Sequence, residues 1–310
     1  MDEAAQPALY RAFLLLVYSN LWVAAAIASL VPFVQLTLGL ALDWRPVALI
    51  FTSALVPYLL DRVVDVYVQE IPDQRAQAFF QQPSSLLLLA GAAMVTAGLI
   101  YAAPTAVQRV SLGGLVPLLY GLPLFPGFGV HRNSDGERDD SDCSDGERHH
   151  GLRWYRLKDI PGSKAWIVCG VITYALVAVP MAYGGRSPSA STWTLSLFLL
   201  VFLGSNSHVF DIRDIESDQK KGVKTMPVLL GVTPTRWLWT GLNLGMVLVL
   251  VGIAGRGGPT PPLMVVLPCM AATVSYLWWV TADTPRNRYN IWIDGALFLP
   301  LILTLLRLIA

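Results

Sequence analysis

A dense group of charges lies in residues 211–231, DIRDIESDQKKGVKTMPVLLG, between two long apolar runs. Asp211, Asp214 and Asp218 are spaced i, i+3 and i+7, so on a helix their carboxylates lie on one face. Like charges at that spacing repel each other, and they are stable together mainly when a cation lies among them. Carboxylate oxygens with room for water and phosphate are the ligands that Mg²⁺ uses in proteins. The stretch therefore predicts a Mg²⁺ site, with a solvated helix end of mixed charge as the simpler alternative.

Positive charge follows these acids within one or two helical turns. Lys220, Lys221 and Lys224 are candidates for direct contact with phosphate oxygens. Carboxylates that hold metal ions, beside lysines that hold phosphate, suit a metal-bridged diphosphate at a membrane boundary. His208 lies three residues before Asp211 on the same helix face, where it either contacts the diphosphate or merely caps a network.

A second row of oxygen ligands lies in residues 60–79, LDRVVDVYVQEIPDQRAQAF. Asp61, Asp65 and Gln69 are spaced i, i+4 and i+8, which again places them on one helix face. Ionisable residues at membrane depth are costly, and a functional role is their default interpretation. We therefore expect the two rows to face each other across a central cavity. Arg75, further along this stretch, is a weaker candidate for the diphosphate.

Composition defines the class of protein that holds these rows. The 310 residues are 54% hydrophobic and 14% charged, whereas soluble domains carry about 25% charged residues. The deficit predicts an integral membrane protein. No basic block or base-stacking motif supports a nucleic-acid partner, and we expect none. The three cysteines have no spacing that suggests a zinc site or a disulfide framework.

Apolar runs of about 20 residues are long enough to cross a bilayer as helices. They predict an all-α, multi-pass membrane protein, with nine transmembrane helices around a central cavity, in a single domain over residues 1–310. Pro32 predicts a kink in the long first span. The predicted spans are 12–40, 46–66, 84–103, 107–125, 164–184, 191–210, 235–255, 260–280 and 289–308.

Arginine and lysine set the orientation, because they are concentrated at the ends of the even-numbered spans. This bias places the N-terminus and both acidic rows in the cytoplasm. Residues 131–152 lie on the same side and contain SDGER twice. Such a segment lacks the apolar surface to order itself, so it predicts a flexible charged loop. His149 and His150 beside its aspartates could bind a metal, but a solvated tract is the favoured interpretation.

DxxDxxxD followed by KKGVKTMPVLLG, in residues 211–231, resembles the second aspartate-rich motif of the UbiA superfamily of intramembrane aromatic and polyprenyl prenyltransferases. Nine predicted helices, with acidic motifs after the second and sixth spans on the cytoplasmic side, resemble that family as well. A weaker similarity lies in residues 156–168, RLKDIPGSKAWIV, which resemble the basic entry to the family's fifth helix.

The first acidic row departs from the family pattern NDxxDxxxD. Asp61 stands where the family has Asn, Arg62 stands where it has Asp, and Asp65 matches. Gln69 replaces the last Asp, although its amide oxygen can still bind a metal. This difference bears on how many Mg²⁺ ions bind and how tightly the diphosphate is held. It leaves a specialised or an inactive branch of the family open.

The resemblance implies Mg²⁺-dependent transfer of a prenyl group from a polyprenyl diphosphate to a lipophilic acceptor. The enzyme would be a transferase of alkyl groups other than methyl, and an aromatic acceptor of the quinone-precursor type is the first expectation. Asp65 and Asp214 are the expected catalytic residues. The expected metal ligands are Asp61, Asp65, Gln69, Asp211, Asp214 and Asp218. The expected substrate contacts are Lys220, Lys221, Lys224, Asn20, His208 and Arg75.

Two alternatives stay open beside this hypothesis. A cation-coupled transporter would also place acids in a multi-pass bundle. It would, however, place them near the bilayer midplane, in the broken helices of an inverted repeat. A catalytically silent member of the same fold is the other alternative, prompted by the altered first row. An interhelical hydrogen bond is the alternative role for Asn20.

Overall fold

The structure is a computed structural model that describes residues 16–17, 19–68, 80–114, 123–130, 150–156, 162–220, 222–281 and 284–309. Single 3₁₀ turns lie at Leu112–Gly114 and Ala296–Phe298. The helices and strands are, in chain order, α1 (Leu21–Thr37), α2 (Trp44–Val68), α3 (Pro83–Tyr101), α4 (Thr105–Ser111), β1 (Pro123–Val130), β2 (His150–Arg156), α5 (Ser163–Tyr183), α6 (Ala190–Arg213), α7 (Ile215–Lys220), α8 (Met226–Leu230), α9 (Val232–Gly255), α10 (Leu263–Trp279), α11 (Arg286–Gly295) and α12 (Leu299–Ile309).

Helix α1 is the central helix of the bundle. Its sequence is apolar on all sides, and a helix of that kind is stable only when it is surrounded. Leu30, Val31 and Phe33 have no accessible surface. The helix packs against α2, α5, α11 and α12. The Phe33 ring meets that of Phe198 in α6, with centroids 5.9 Å apart. The main core therefore lies between α1, α5 and α6.

The start of α1 differs from the predicted first span. Asn20 lies just before the helix in the left-handed conformation, with φ at 60°. That conformation interrupts a helix, and asparagine tolerates it better than most residues do. Leu16 and Val17 are helical, so the apolar run is divided at Asn20 as well as carrying Pro32 inside α1. A single continuous span over residues 12–40 was therefore wrong.

Strands β1 and β2 form a two-stranded antiparallel sheet in which Gly129 lies opposite Gly151. The fold class was predicted to be all-α. The other described elements are helical, and this hairpin is the exception. The predicted span 107–125 is helical only as far as the turn at Leu112–Gly114 among the described residues, and its end lies in β1. The sequence PLFPGFGV explains the strand, because proline and glycine disfavour helix while phenylalanine and valine favour strands.

Strand β2 contains residues 150–152 of the predicted flexible loop. The rest of that loop, residues 131–149, lies outside the described residues, and so does the proposed metal ligand His149.

Five helices are long and apolar enough, by length and composition, to cross a membrane. They are Pro83–Tyr101, Ala165–Tyr183, Ala190–Arg213, Val232–Gly255 and Tyr289–Ile309. Shorter apolar helices occupy Leu21–Thr37, Trp44–Leu60 and Leu263–Trp279. All of these segments coincide with predicted spans, although the described residues do not establish a count of nine.

Large apolar side chains point outward from these helices. Leu87, Leu248 and Met264 are 72%, 72% and 73% exposed. Exposed apolar surface of this extent is unfavourable in water and is stable against lipid. The outward surface and the apolar helices together support an integral membrane protein.

Candidate functional site at the end of α6

Helix α6 carries the second acidic row to one end of the bundle. Its start is fixed by a capping box, in which the Ser189 backbone N–H donates to Thr192 Oγ1 over 3.1 Å. The helix ends at Arg213, and Asp214 is its C-cap. Backbone hydrogen bonds from Asp214 N to Phe210 O, at 3.0 Å, and from Asp218 N to Asp214 O, at 2.8 Å, carry the helical pattern into α7. The acids thus follow a helical path with a break at Asp214, where one continuous helix was predicted.

Two of the three acids are buried. Asp211 is 5% exposed and Asp218 is 4% exposed. Removing a carboxylate from water is costly unless other groups compensate its charge or its hydrogen bonds. Two such carboxylates, seven residues apart at the end of a membrane helix, are therefore unlike a solvated helix end. The burial counts against the simpler alternative for this stretch.

The third acid, Asp214, is held by its neighbour in sequence. Arg213 Nε donates to Asp214 Oδ1 at 2.8 Å, and Nη2 donates to Oδ2 at 2.7 Å. The Arg213 side chain is 9% exposed and that of Asp214 is 27% exposed. Sequence reasoning did not select Arg213, although a guanidinium inside an acidic row at membrane depth was a signal for it.

Arg213 is itself fixed by helix α11 and by two aromatic rings. Its Nη1 donates to Asn290 Oδ1 at 3.1 Å. Its Cζ lies 4.9 Å from the ring centroid of Phe210 and 5.6 Å from that of Tyr289. Cations above aromatic faces at these distances are attracted by the rings. The guanidinium therefore has a defined position beside Asp214.

His208 lies in an aromatic cluster inside the bundle and has no exposed surface. Its Nδ1 lies 2.8 Å from the Gly204 carbonyl, which only accepts, so Nδ1 is the donor. Its ring centroid is 5.7 Å from that of Trp166 and 4.3 Å from that of Trp239. Nε2 has no hydrogen-bond partner among the described residues. The structure thus places His208 in the interior, one turn before Asp211.

Gly204 allows this cluster to form. A Cβ at this position would lie 2.5 Å from Cη2 of Trp239, which is closer than real contacts permit. Trp239, in α9, is completely buried. Asn243, one turn further along α9, donates to Ser205 Oγ at 2.7 Å and so ties the two helices together. The absence of a side chain at 204 lets α9 approach α6 behind the acids.

A tight turn at Gly222 places Lys224 after α7. Gly222 has φ at 68°, a left-handed conformation that suits glycine, and Val223 N donates to Asp218 O at 2.8 Å. The Lys224 side chain is exposed, while its carbonyl accepts from Gly162 N at 2.6 Å. Lys220 closes α7, but its side chain lies outside the described set, as does all of Lys221.

The first acidic row is described only in part. Asp61 and Asp65 lie in α2, but their side chains are outside the described set. Gln69 and Arg75 lie outside the described residues altogether. Helix α2 packs against α1 and α3. Whether the two rows face each other therefore stays a prediction.

Asn20 joins the first two helices near this row. Its Nδ2 donates to the Tyr58 carbonyl in α2 at 3.4 Å, three residues before Asp61. This is an interhelical hydrogen bond, the alternative role considered for Asn20 from the sequence. The contact ties the start of α1 to the part of α2 that carries the first row.

The end of α6 supplies carboxylate oxygens, which are ligands that Mg²⁺ prefers in proteins. Within the residues whose side chains are described, no cluster of three or more His, Cys, Asp or Glu has a geometry that could hold a metal. The α6 acids therefore fit a metal as part of a larger set, to which the side chains of α2 would have to contribute.

Comparisons with known proteins agree with this architecture. Residues 154–299 match the UbiA prenyltransferase family. No curated protein is significantly similar to the chain. A UbiA homolog from Aeropyrum pernix K1, solved in its apo state, has 12% identity and a TM-score of 0.58, over 94% of this chain and 97% of the other.

A second solved structure, described as giving insights into the biosynthesis of digeranylgeranylglyceryl phosphate synthase in membranes, has 13% identity. Its TM-score is 0.50, over 94% of this chain and 96% of the other. At these identities the structures show a shared fold, whereas the sequence match lies in the half that carries the second acidic row. The family that this half matches is one of prenyltransferases. Residues 154–299 are thus similar to the UbiA prenyltransferase family, and the chain shares its fold with both solved structures.

Proposed function

We propose that the protein transfers a prenyl group from a polyprenyl diphosphate to a lipophilic acceptor within the membrane, and that the transfer requires Mg²⁺. The observation that carries the proposal is the end of α6, where Asp211 and Asp218 are buried beside Asp214. The same stretch has the DxxDxxxD spacing, and it lies inside the segment that matches the prenyltransferase family.

Residues of both rows would hold the metal ions. Asp211, Asp214 and Asp218 would supply ligands from one side, and Asp61, Asp65 and Gln69 would supply ligands from the other. Bound Mg²⁺ would stabilise the charge that develops on the departing diphosphate. The lysines after α7 would add direct contacts to phosphate oxygens. Lys224 is exposed and so is available for such a contact.

The interior next to the acids suits a reaction whose intermediate must be protected from water. A prenyl cation reacts with water unless the site is dry, and closed apolar surroundings exclude water. His208 and Trp239 are fully buried one to two turns behind Asp211, and Trp166 packs against both rings. This cluster would close the inner side of the site. The residues would act by position and by exclusion of water.

The chemical class of the acceptor is more specific than the general reaction. We propose an aromatic acceptor of the quinone-precursor type, which would place the enzyme in quinone biosynthesis. One structural neighbour is described as a digeranylgeranylglyceryl phosphate synthase. A glycerol phosphate lipid therefore belongs in the same assay. We also propose that the N-terminus and both acidic rows lie on the cytoplasmic side.

The experiment that tests the proposal uses purified protein in lipid with labelled geranylgeranyl diphosphate. Aromatic and glycerol phosphate acceptors are supplied one at a time, with Mg²⁺ or with EDTA. We expect a labelled, diphosphate-free product with Mg²⁺ only, and the productive acceptor names the class.

Asp214→Asn and Asp43→Asn are the matched variants, since one removes an acid of the row and the other removes an acid from a connecting loop. Product from wild type and Asp43→Asn, but not from Asp214→Asn, supports the proposal. No product with any acceptor, together with no diphosphate binding, would favour a silent family member or a cation transporter.

A further inference from the structure

Asp214 has a charged partner next to it in the sequence. Both of its carboxylate oxygens accept hydrogen bonds from Arg213, at 2.8 and 2.7 Å. A paired fork of this kind fixes the orientation of a carboxylate more tightly than a single contact does. It also places a full positive charge where a metal ion would approach. Asp214 is therefore both oriented and electrostatically shielded when no ligand is bound.

Arg213 cannot move away freely from this position. Asn290 holds its Nη1 from α11, and the rings of Phe210 and Tyr289 cover its guanidinium. Tyr289 is 1% exposed, so this wall is part of the packed bundle. Only 9% of the Arg213 side chain is exposed. A guanidinium that is held in this way keeps its charge at the site whether or not a ligand arrives.

We propose that Arg213 positions Asp214 and makes cation binding at this carboxylate depend on the diphosphate. The inference rests on the proposed function and deepens it. Without the diphosphate, the fixed guanidinium repels a second cation and occupies both carboxylate oxygens. The diphosphate brings negative charge that compensates both cations, so metal and diphosphate bind favourably only together. This is a thermodynamic coupling between two ligands, and it is reciprocal.

The coupling can be measured without turnover. Mn²⁺ serves as the probe, and its binding to the protein in lipid is followed by electron paramagnetic resonance. The titration is run with and without a non-reactive thio analogue of geranylgeranyl diphosphate. We expect wild type to bind Mn²⁺ weakly alone and more tightly with the analogue, within the range of about 5- to 150-fold that is typical of such coupling.

The informative variant is Arg213→Gln, which removes the charge and the fork. We expect its Mn²⁺ affinity without the analogue to rise at least about fivefold, and the gain on adding the analogue to shrink. Arg213→Lys keeps the charge but cannot form the fork, so we expect an intermediate result. The Arg213→Lys variant thus separates the effect of charge from that of orientation.

Arg236→Gln is the matched control. This arginine, at the start of α9, donates to the Val280 carbonyl and faces the Trp278 ring at 6.0 Å. Its loss removes one positive charge from the start of α9 without touching the Arg213–Asp214 fork. We expect its Mn²⁺ titrations to follow those of wild type.

Asn290→Ala covers the case in which Arg213→Gln does not fold. It removes the α11 anchor but keeps Arg213 and Asp214, so the Mn²⁺ affinity should move in the same direction by a smaller factor. Unchanged Mn²⁺ affinity in both variants, with analogue binding intact, would overturn the inference alone. Failure of wild type to bind the analogue with Mn²⁺ would instead count against the proposed function.

Discussion

Two Arg–Asp pairs of the same chemistry lie in very different surroundings. Arg45 and Asp43 pair at the start of α2, and Arg213 and Asp214 pair at the end of α6. The N–O distance is 2.7 Å in both. Arg45 is 52% exposed, however, whereas Arg213 is 9% exposed. The distance alone therefore does not distinguish an exposed pair from an enclosed one.

What surrounds each arginine makes the difference. Arg45 has the Tyr183 ring 5.1 Å from its Cζ and is otherwise open to solvent, which screens its charge. Arg213 is enclosed by two rings and anchored by Asn290. Exposed ion pairs contribute little, whereas charges held at membrane depth are costly and usually serve a function. The comparison predicts that changes at the α6 pair alter activity and that changes at the α2 pair do not.

The largest effect is expected from Asp214→Asn. The amide keeps the shape of the side chain but loses the charge that a metal ion requires, so prenyl transfer should fall by about 100-fold or more. Steady-state product formation in lipid measures the loss, and a melting curve checks that the protein is folded. Full turnover in this variant would show that Asp214 is not a metal ligand.

Asp65→Asn tests the first row in the same assay. Because Asp65 is the acid of that row that matches the family pattern, we expect most activity to be lost.

Gln69→Asp restores the carboxylate of the pattern and should keep or improve the use of Mg²⁺. A complete loss of activity in Gln69→Asp would mean that Gln69 has a different role.

Gly204→Ala tests the packing behind the α6 pair. The new methyl group would clash with the Trp239 ring. Because Trp239 is completely buried and has no space to move aside, we expect a destabilisation of about 1–3 kcal/mol. The melting temperature in detergent measures it. Gly241→Ala is the matched control, because nothing lies within 4 Å of a Cβ there and alanine favours helix. Equal melting temperatures for the two variants would contradict the close approach of α9 to α6.

A smaller effect is expected from Asn290→Ala, which releases one end of Arg213. The net contribution of one hydrogen bond is about 0.5–1.5 kcal/mol, which corresponds to a decrease in turnover of about 2- to 10-fold. We expect kcat to fall more than the KM for the diphosphate changes, because Asp214 is misplaced rather than removed. A decrease as large as that of Asp214→Asn would mean that Asn290 contacts the substrate itself.

No loss of activity is expected from Asp43→Asn. Hydrogen bonds from the Arg45 side chain lower the pKa of Asp43. Any stability from the pair is therefore present at neutral pH, and it is lost only as the pH falls through this lowered pKa. Because exposed ion pairs contribute little, turnover at pH 7 should match wild type and the melting temperature should fall only slightly. A clear loss of turnover would show that the exposed pair is also functional.

The sequence was sufficient to predict the helices and the second acidic row, because both depend on local patterns. Apolar runs defined the spans, and the spacing of Asp211, Asp214 and Asp218 placed them on one path. The division at Asn20 was missed because it depends on one left-handed residue. The β1–β2 hairpin was missed because the apolar run over 107–125 favoured a transmembrane helix. The prolines and glycines of PLFPGFGV, which disfavour a helix, were given too little weight.

The surroundings of Arg213 could not be predicted from the sequence, for a different reason. Its partners come from α6 itself and from α11, which is far away in sequence, and only the fold brings Asn290 and Tyr289 to its guanidinium. The close approach of Trp239 to Gly204 is likewise a contact between helices. Long-range contacts of this kind leave no periodic pattern in a single sequence.

Mg²⁺-dependent binding of labelled geranylgeranyl diphosphate tests the central claim most directly. The protein in lipid is mixed with the label in Mg²⁺ or in EDTA, and bound label is counted for wild type, Asp214→Asn and Asp43→Asn. We expect binding in Mg²⁺ alone, retained in Asp43→Asn and lost in Asp214→Asn. Binding that is equal in all three proteins, or that persists in EDTA, would contradict a metal-dependent diphosphate site at the end of α6.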